Sequence, residues 1–191
     1  SIIQSFLIGY SGNLKSNKFL VSCLIKEGFL LEDIINIGLA KKNQNNDLIF
    51  YFNQRVMFPI LNNSGKVIAF GGRVLGSGNP KYLNSPETPL FQKGKQLFGI
   101  FNAKQLLNKK RFIICEGYMD SICLTKNGYP SLASLGTSMT EKQIDNIFNI
   151  TDEAFLVFDG DAAGKSATLR VFEKYLPMLK INKKLKFVFL P

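Results

Sequence analysis

The stretch "EAFLVFDGDAAGKS" (residues 153–166) decides how the second half of the chain is read. An apolar run ends in a turn with one glycine, and Gly-Lys-Ser then opens a segment with helical spacing. That outline is shared with the phosphate-binding P-loop, G-x-x-x-x-G-K-[ST]. Counting back from Gly164, the first glycine of that motif belongs at position 159; Asp stands there, and Asp161 follows two residues later. A loop that cradles bare phosphate does not carry two carboxylates. The corner is therefore read as strand, acidic turn and helix, with Lys165 as a solvated helix residue.

Working outward, the same alternation repeats. "RFIICEG" (111–117) is an apolar strand followed by helical "YMDSICLTKNG" (118–128). "PSLASLG" (130–136) is a second strand, followed by "TEKQIDNIFNI" (140–150), where Thr140 and Gln143 form a capping box. A helix from about Ala162 to Leu179 follows the 153–161 strand, and "LKFVFLP" (185–191) begins another strand. Apolar strands alternating with helices predict βαβ units and a parallel sheet buried on both faces, an α/β fold.

The acids of this half gather at one edge of that sheet. Glu116 ends the first strand, and Asp159 and Asp161 end the third. Ligands of open α/β sheets bind outside the carboxyl ends of the strands. Asp120 falls one helical turn after Glu116. It reads equally as an acid suited to a helix N-terminus, and Asp161 reads equally as an N-cap. Glu116 and Asp159 stand beside Gly117 and Gly160, which permit a tight turn and close approach of a ligand. Carboxylates converging on one rim repel each other unless a cation sits among them. The chain has no histidine, and its three cysteines form no CxxC pair. Common zinc sites and Ser-His-Asp or Cys-His catalysis are thereby excluded. Hard oxygen ligands imply Mg²⁺ or Mn²⁺.

The front half differs in charge. Of the net +10, residues 1–110 carry 14 Lys and Arg against 5 Asp and Glu, and residues 111–191 carry 10 against 9. That asymmetry suggests a polyanion-binding half beside a half with another task. With 46% hydrophobic and 12% aromatic residues the chain can bury a core. No apolar run approaches the roughly 20 residues of a membrane span. "KFLVSCLIKEGF" (18–29) and "LLEDIINIGL" (30–39) have helical spacing, and the Asn-rich "KKNQNNDL" (41–48) reads as a loop. "LIFYFNQRVMFPIL" (48–61) and "KVIAFGGRVL" (66–75) alternate like strands, with "NNSG" (62–65) as a hairpin turn. The following stretch, residues 76–96, is rich in Gly, Pro, Ser and Asn and reads as irregular and too polar for a core. Its Lys81, Lys93 and Lys95, with Tyr82 and Phe91, suit a strand of nucleic acid or nucleotides.

Strand–Glu–Gly–helix followed by strand–Asp–Gly–Asp–helix resembles the Toprim pattern. The longer motifs "RVMFPILNNSGKVIAFGGRVL", "PKYLNSPETPLFQKGKQLFGIFNA", "CEGYMDSICL", "SLGTSMTEKQI" and "FDGDAAGKSA" resemble the catalytic core of bacterial DnaG-type replicative primases, from about Phe6 to the last residue. The resemblance implies an α+β basic subdomain over residues 1–105 and a Toprim parallel-sheet domain over 106–191. It implies DNA-dependent RNA primer synthesis on a single-stranded DNA template from NTPs. Glu116, Asp159 and Asp161 would be catalytic and hold metal, with Asp120 in the outer shell; Glu116 as general base is the alternative role. Arg55, Arg73, Lys81 and Lys93 would hold template or nucleotide phosphates. The replicative helicase and single-strand-binding protein would be partners through regions outside this chain, in the cytoplasm at the replication fork. Family members also carry a preceding zinc-ribbon domain and a further acidic Toprim segment, so the chain is read as a piece of a longer enzyme, without zinc of its own. Two alternatives stay open here: another Toprim activity, nuclease or topoisomerase, and a nucleic-acid-binding piece without activity.

Overall fold

The structure, a computed structural model, describes residues 1–106, 111–136, 139–158, 162–178 and 180–189. The chain forms two compact units, Ser1–Ile60 with Lys66–Gln92, and Leu61–Gly65 with Lys93–Pro191.

The first unit opens with α1 (Ile2–Ser5), β1 (Gly9–Tyr10), α2 (Leu14–Lys26) and α3 (Leu31–Asn36). α2 starts four residues before its apolar spacing becomes regular, because the Asn13 side chain accepts the Ser16 N–H at 3.1 Å and caps it. The Asn-rich stretch joins β2 (Ala40–Lys42) to β3 (Leu48–Phe50) as an antiparallel hairpin. Asn43 Oδ1 accepts the N–H groups of Asn45 at 2.9 Å and Asp47 at 2.8 Å, which fixes that turn. β4 (Arg55–Leu61), β5 (Val67–Val74) and β6 (Tyr82–Asn84) join β1 in a sheet ordered β1-β4-β5-β6. The expected single strand over 48–61 is thus two strands in two sheets. The break falls at residues 51–54, where Gln54 has φ +52° and turns the chain. Residues 62–65 form the expected turn, with Gly65 at φ +81°.

The expectation that residues 76–96 lack a core role is overturned. β6 is an antiparallel neighbour of β5, Ser85 is buried, and Phe91 is 0% exposed. The stretch is polar because its backbone turns often, but two of its side chains anchor it in the fold. Phe91 is therefore a core residue and not a stacking platform.

The second unit contains α4 (Ile100–Lys104), β7 (Arg111–Cys115), α5 (Tyr118–Lys126), β8 (Ser131–Ala133), α6 (Glu141–Phe148), β9 (Glu153–Phe158), α7 (Ala162–Tyr175) and β10 (Lys184–Phe189). The sheet runs β10-β9-β7-β8 with every pairing parallel, the predicted α/β arrangement. Its two faces are covered unevenly. Phe112, Ile114, Ala154, Leu156 and Phe158 are buried on one face with Ile144, Ile147, Val171 and Tyr175. Fully burying a large apolar side chain contributes about 1.5–3 kcal/mol. On the other face Cys115 is buried, with Ser131 and Ala133 of β8 beside it, and Ile113, Phe155 and Val157 are half-buried. The Lys186 ammonium lies 5.2 Å from the Phe155 ring centroid, a cation over an aromatic face. At the amino end of the sheet Glu153 pairs with Arg111 Nε at 2.7 Å and with Lys186. The Lys186 hydrogen bond, aided by Arg111, holds the Glu153 carboxyl below its ordinary range. Among the described residues no helix is long and apolar enough to cross a membrane.

Candidate functional site

The carboxyl end of β7 carries the first acid pair. Strand pairing ends at Cys115, and Glu116 follows, exposed. Gly117 caps α5 in an extended conformation, and Asp120 lies in the helix's first turn. A Cβ on Gly117 would lie 2.7 Å from Asp120 Oδ2. Gly117 thus leaves open the space into which the Asp120 carboxylate folds, at a helix end that favours negative charge. Beneath them Cys115 is buried, and its thiol donates to the Leu132 carbonyl at 3.2 Å. Burial pushes this thiol up to about 11; the Ser131 hydrogen bond opposes the shift and the Asp120 charge adds to it. Cys115 is accordingly a protonated packing residue, not a nucleophile.

β9, which ends at Phe158, is the strand beside β7. Asp159 and Asp161 come next in the sequence and lie outside the described residues. Among the described residues no group of three or more His, Cys, Asp or Glu side chains could hold a metal ion. Glu116 and Asp120 offer only carboxylate oxygens, a donor chemistry that fits a hard divalent cation.

In the first unit the structure brings four of the expected basic and aromatic residues together. Arg73 on β5 stands opposite Tyr82 on β6, and its guanidinium carbon lies 5.7 Å from the Tyr82 ring centroid. Lys81 and Tyr82 are both exposed. Arg55 is only 7% exposed. Its Nη1 donates to the Pro80 carbonyl at 2.9 Å, the Gly72 carbonyl at 3.4 Å and the Lys81 carbonyl at 3.5 Å. Burial lowers its pKa from the ordinary arginine value. A Cβ on Gly72 would meet Phe52 Cδ1 at 2.8 Å and Arg55 Cδ at 3.0 Å, so glycine makes the seat that Arg55 fills.

In the second unit Lys93 and Lys95 stand on a 3₁₀ turn, Lys93–Lys95, and three side chains, from the N-cap of α6 to its second turn, bond to it. The Gln143 amide donates to the carbonyls of Lys93 at 2.9 Å and Gln96 at 2.8 Å. Thr140 donates to the Gly94 carbonyl, and Asn146 donates to the Lys95 carbonyl at 2.8 Å. The capping box is also present, with Gln143 Oε1 accepting the Thr140 N–H at 2.9 Å. α7 supports the same corner, because the buried Tyr175 hydroxyl donates to the Met139 carbonyl. From sequence, Thr140 and Gln143 read only as a cap. The available signal is that a glutamine on the buried face of an amphipathic helix needs partners beyond its own cap.

Two family descriptions match the chain. "DNA primase catalytic core, N-terminal domain" covers residues 1–104, and "Toprim domain" covers residues 110–189. The chain is 40% identical over 195 residues to a DNA primase of Haemophilus influenzae, a match that spans 100% of this chain and 32% of that protein. A solved structure described as the E. coli primase catalytic core is 39% identical, with a TM-score of 0.88, and the match covers 100% of this chain and 61% of that one. Another, described as the DnaG primase catalytic domain bound to ssDNA, gives a TM-score of 0.83 at 39% identity, over 100% of this chain and 61% of that one. The chain spans about a third of the length of the curated relatives it matches. With more than half its length inside the first description, the chain belongs to the DNA primase catalytic core family.

Proposed function

We propose that the chain is the part of a bacterial replicative primase that carries RNA primer synthesis on single-stranded DNA. The observation that supports this most is the match along the whole chain to DNA primases, with Glu116 and Asp120 at the carboxyl end of β7. The reaction joins a 3′-hydroxyl to the α-phosphorus of an incoming NTP and releases pyrophosphate. Its main difficulty is negative charge on the phosphate oxygens. A bound divalent cation, Mg²⁺ or Mn²⁺, would neutralise that charge and favour loss of the hydroxyl proton. Glu116, Asp159 and Asp161 would hold it, with Asp120 in the outer shell.

The chain's cations do the remaining work. Arg73, Lys81 and Lys93 contact template or triphosphate oxygens, and Tyr82 offers an aromatic face to a base. Arg55 contributes by holding Pro80 and Lys81, whose backbone carbonyls its Nη1 engages. The site works in the cytoplasm at the replication fork, where the helicase and single-strand-binding protein act through other regions of the whole protein. Another Toprim activity, nuclease or topoisomerase, is not favoured, because the matched relatives are DNA primases.

The test is primer synthesis from NTPs and single-stranded DNA by the full-length protein, with Glu116→Gln and Asp159→Ala compared with the parent. Both variants should lose about 100-fold or more, the scale of an electrostatic contribution to a transition state. Chelation of divalent ions should abolish synthesis. Synthesis by Asp159→Ala at the parent rate would remove the acids from the site.

A further inference from the structure

We infer that Thr140, Gln143 and Asn146 of α6 are positioning residues that hold the Lys93–Lys95 turn ready to receive phosphate. The inference rests on the proposed reading of Lys93 as a phosphate contact.

The four carbonyls of residues 93–96 all accept hydrogen bonds from this helix. Gln143 takes those of Lys93 and Gln96, Thr140 that of Gly94, and Asn146 that of Lys95. Residues 140, 143 and 146 are three apart, so they share one face of the helix. Gln143 is 0% exposed, and its amide is used at both ends, with the oxygen on the cap and the nitrogen on the turn. A buried amide satisfied in this way fixes a geometry that an apolar side chain could not.

Two consequences follow for an anion. Carbonyl oxygens carry partial negative charge, and donors on all four reduce the field they would oppose to a phosphate. The backbone that bears both lysines is already ordered, so less freedom is lost when a phosphate binds. A loose turn with the same two lysines would have the same charge and weaker binding.

The experiment is fluorescence anisotropy of the full-length protein with fluorescein-labelled oligothymidylate at one fixed salt concentration. The variants are Gln143→Met, Asn146→Ala, the pair Lys93→Ala/Lys95→Ala, and each helix variant combined with that pair. Gln143→Met should weaken binding about fivefold with the lysines present and by less than about twofold without them, the non-additivity of residues that act together. Asn146→Ala should show the same pattern with a smaller loss, and it serves where Gln143→Met fails to fold. If the lysine pair weakens binding and neither helix variant does, the positioning role is wrong and the phosphate reading stands. If the helix variants weaken binding equally with and without the lysines, their effect is on the fold, and the inference is overturned. If the lysine pair binds as the parent does, the phosphate reading fails, and the inference fails with it.

Discussion

The two units each present lysine on a segment outside regular strands and helices, and each holds that segment differently. In the first, a charged donor does it: Arg55 bonds to the carbonyls of Gly72, Pro80 and Lys81. In the second, neutral donors do it: Gln143, Thr140 and Asn146 bond to the turn at residues 93–96. Hydrogen bonds from a charged group are stronger than neutral ones, but burying the charge costs more. A guanidinium also adds a positive charge beneath a surface proposed to meet phosphate, and an amide adds none. In the first unit one side chain works beside a backbone bond, the Val74 N–H to the Lys81 carbonyl at 3.1 Å, and in the second three side chains share the task.

The largest expected effect comes from removing the first unit's side chain. Arg55→Met should cost about 2–3 kcal/mol, because three carbonyls lose a charged donor. Urea unfolding would show the loss, and single-stranded DNA affinity should fall with it. A variant as stable as the parent would mean that water replaces the guanidinium freely. Gly72→Ala should cost about 1–2 kcal/mol by crowding Phe52 and the Arg55 stem. Here the discriminating result is in binding: a stability loss with unchanged affinity would separate the seat of Arg55 from the segment it holds.

The smallest effect is expected in the second unit, where support is shared. Tyr175→Phe removes the donor to the Met139 carbonyl, next to Thr140, and should cost about 1 kcal/mol. It also tests a pH dependence. Burial, with the Glu141 charge adding, pushes the Tyr175 hydroxyl from 10.0 up to about 12. The folded state then keeps a proton that the unfolded chain releases, so the contribution is complete below pH 10 and is lost as pH rises toward about 12. Tyr175→Phe should flatten the fall in stability across that window. An unchanged profile would show that Tyr175 does not titrate there.

Much of the second unit was legible before the fold was known. Its strands are apolar and short, α6 carries a capping box, and Glu116 follows the end of β7. The first unit was less so. The run 48–61 looks continuous because Phe50, Tyr51 and Phe52 suit a strand, and only the left-handed turn at Gln54 divides it. Phe91 sits in polar sequence, and nothing local marks it as buried. The task of Arg55 was hidden for a related reason. An arginine that bonds to backbone carbonyls and one that waits for phosphate have the same sequence, and burial alone tells them apart. Gln143 was half legible, since a capping box names one of its partners and the turn 47 residues away supplies the others.

The most direct test of the account is the salt dependence of single-stranded DNA binding. If Arg73 and Lys81 meet phosphates, log affinity should fall linearly with log salt. Arg73→Ala and Lys81→Ala should each reduce that slope by about 0.7, the value for one phosphate contact on a single strand. Weaker binding with the slope unchanged in both variants would contradict the account, because the lost contacts would not be phosphate contacts.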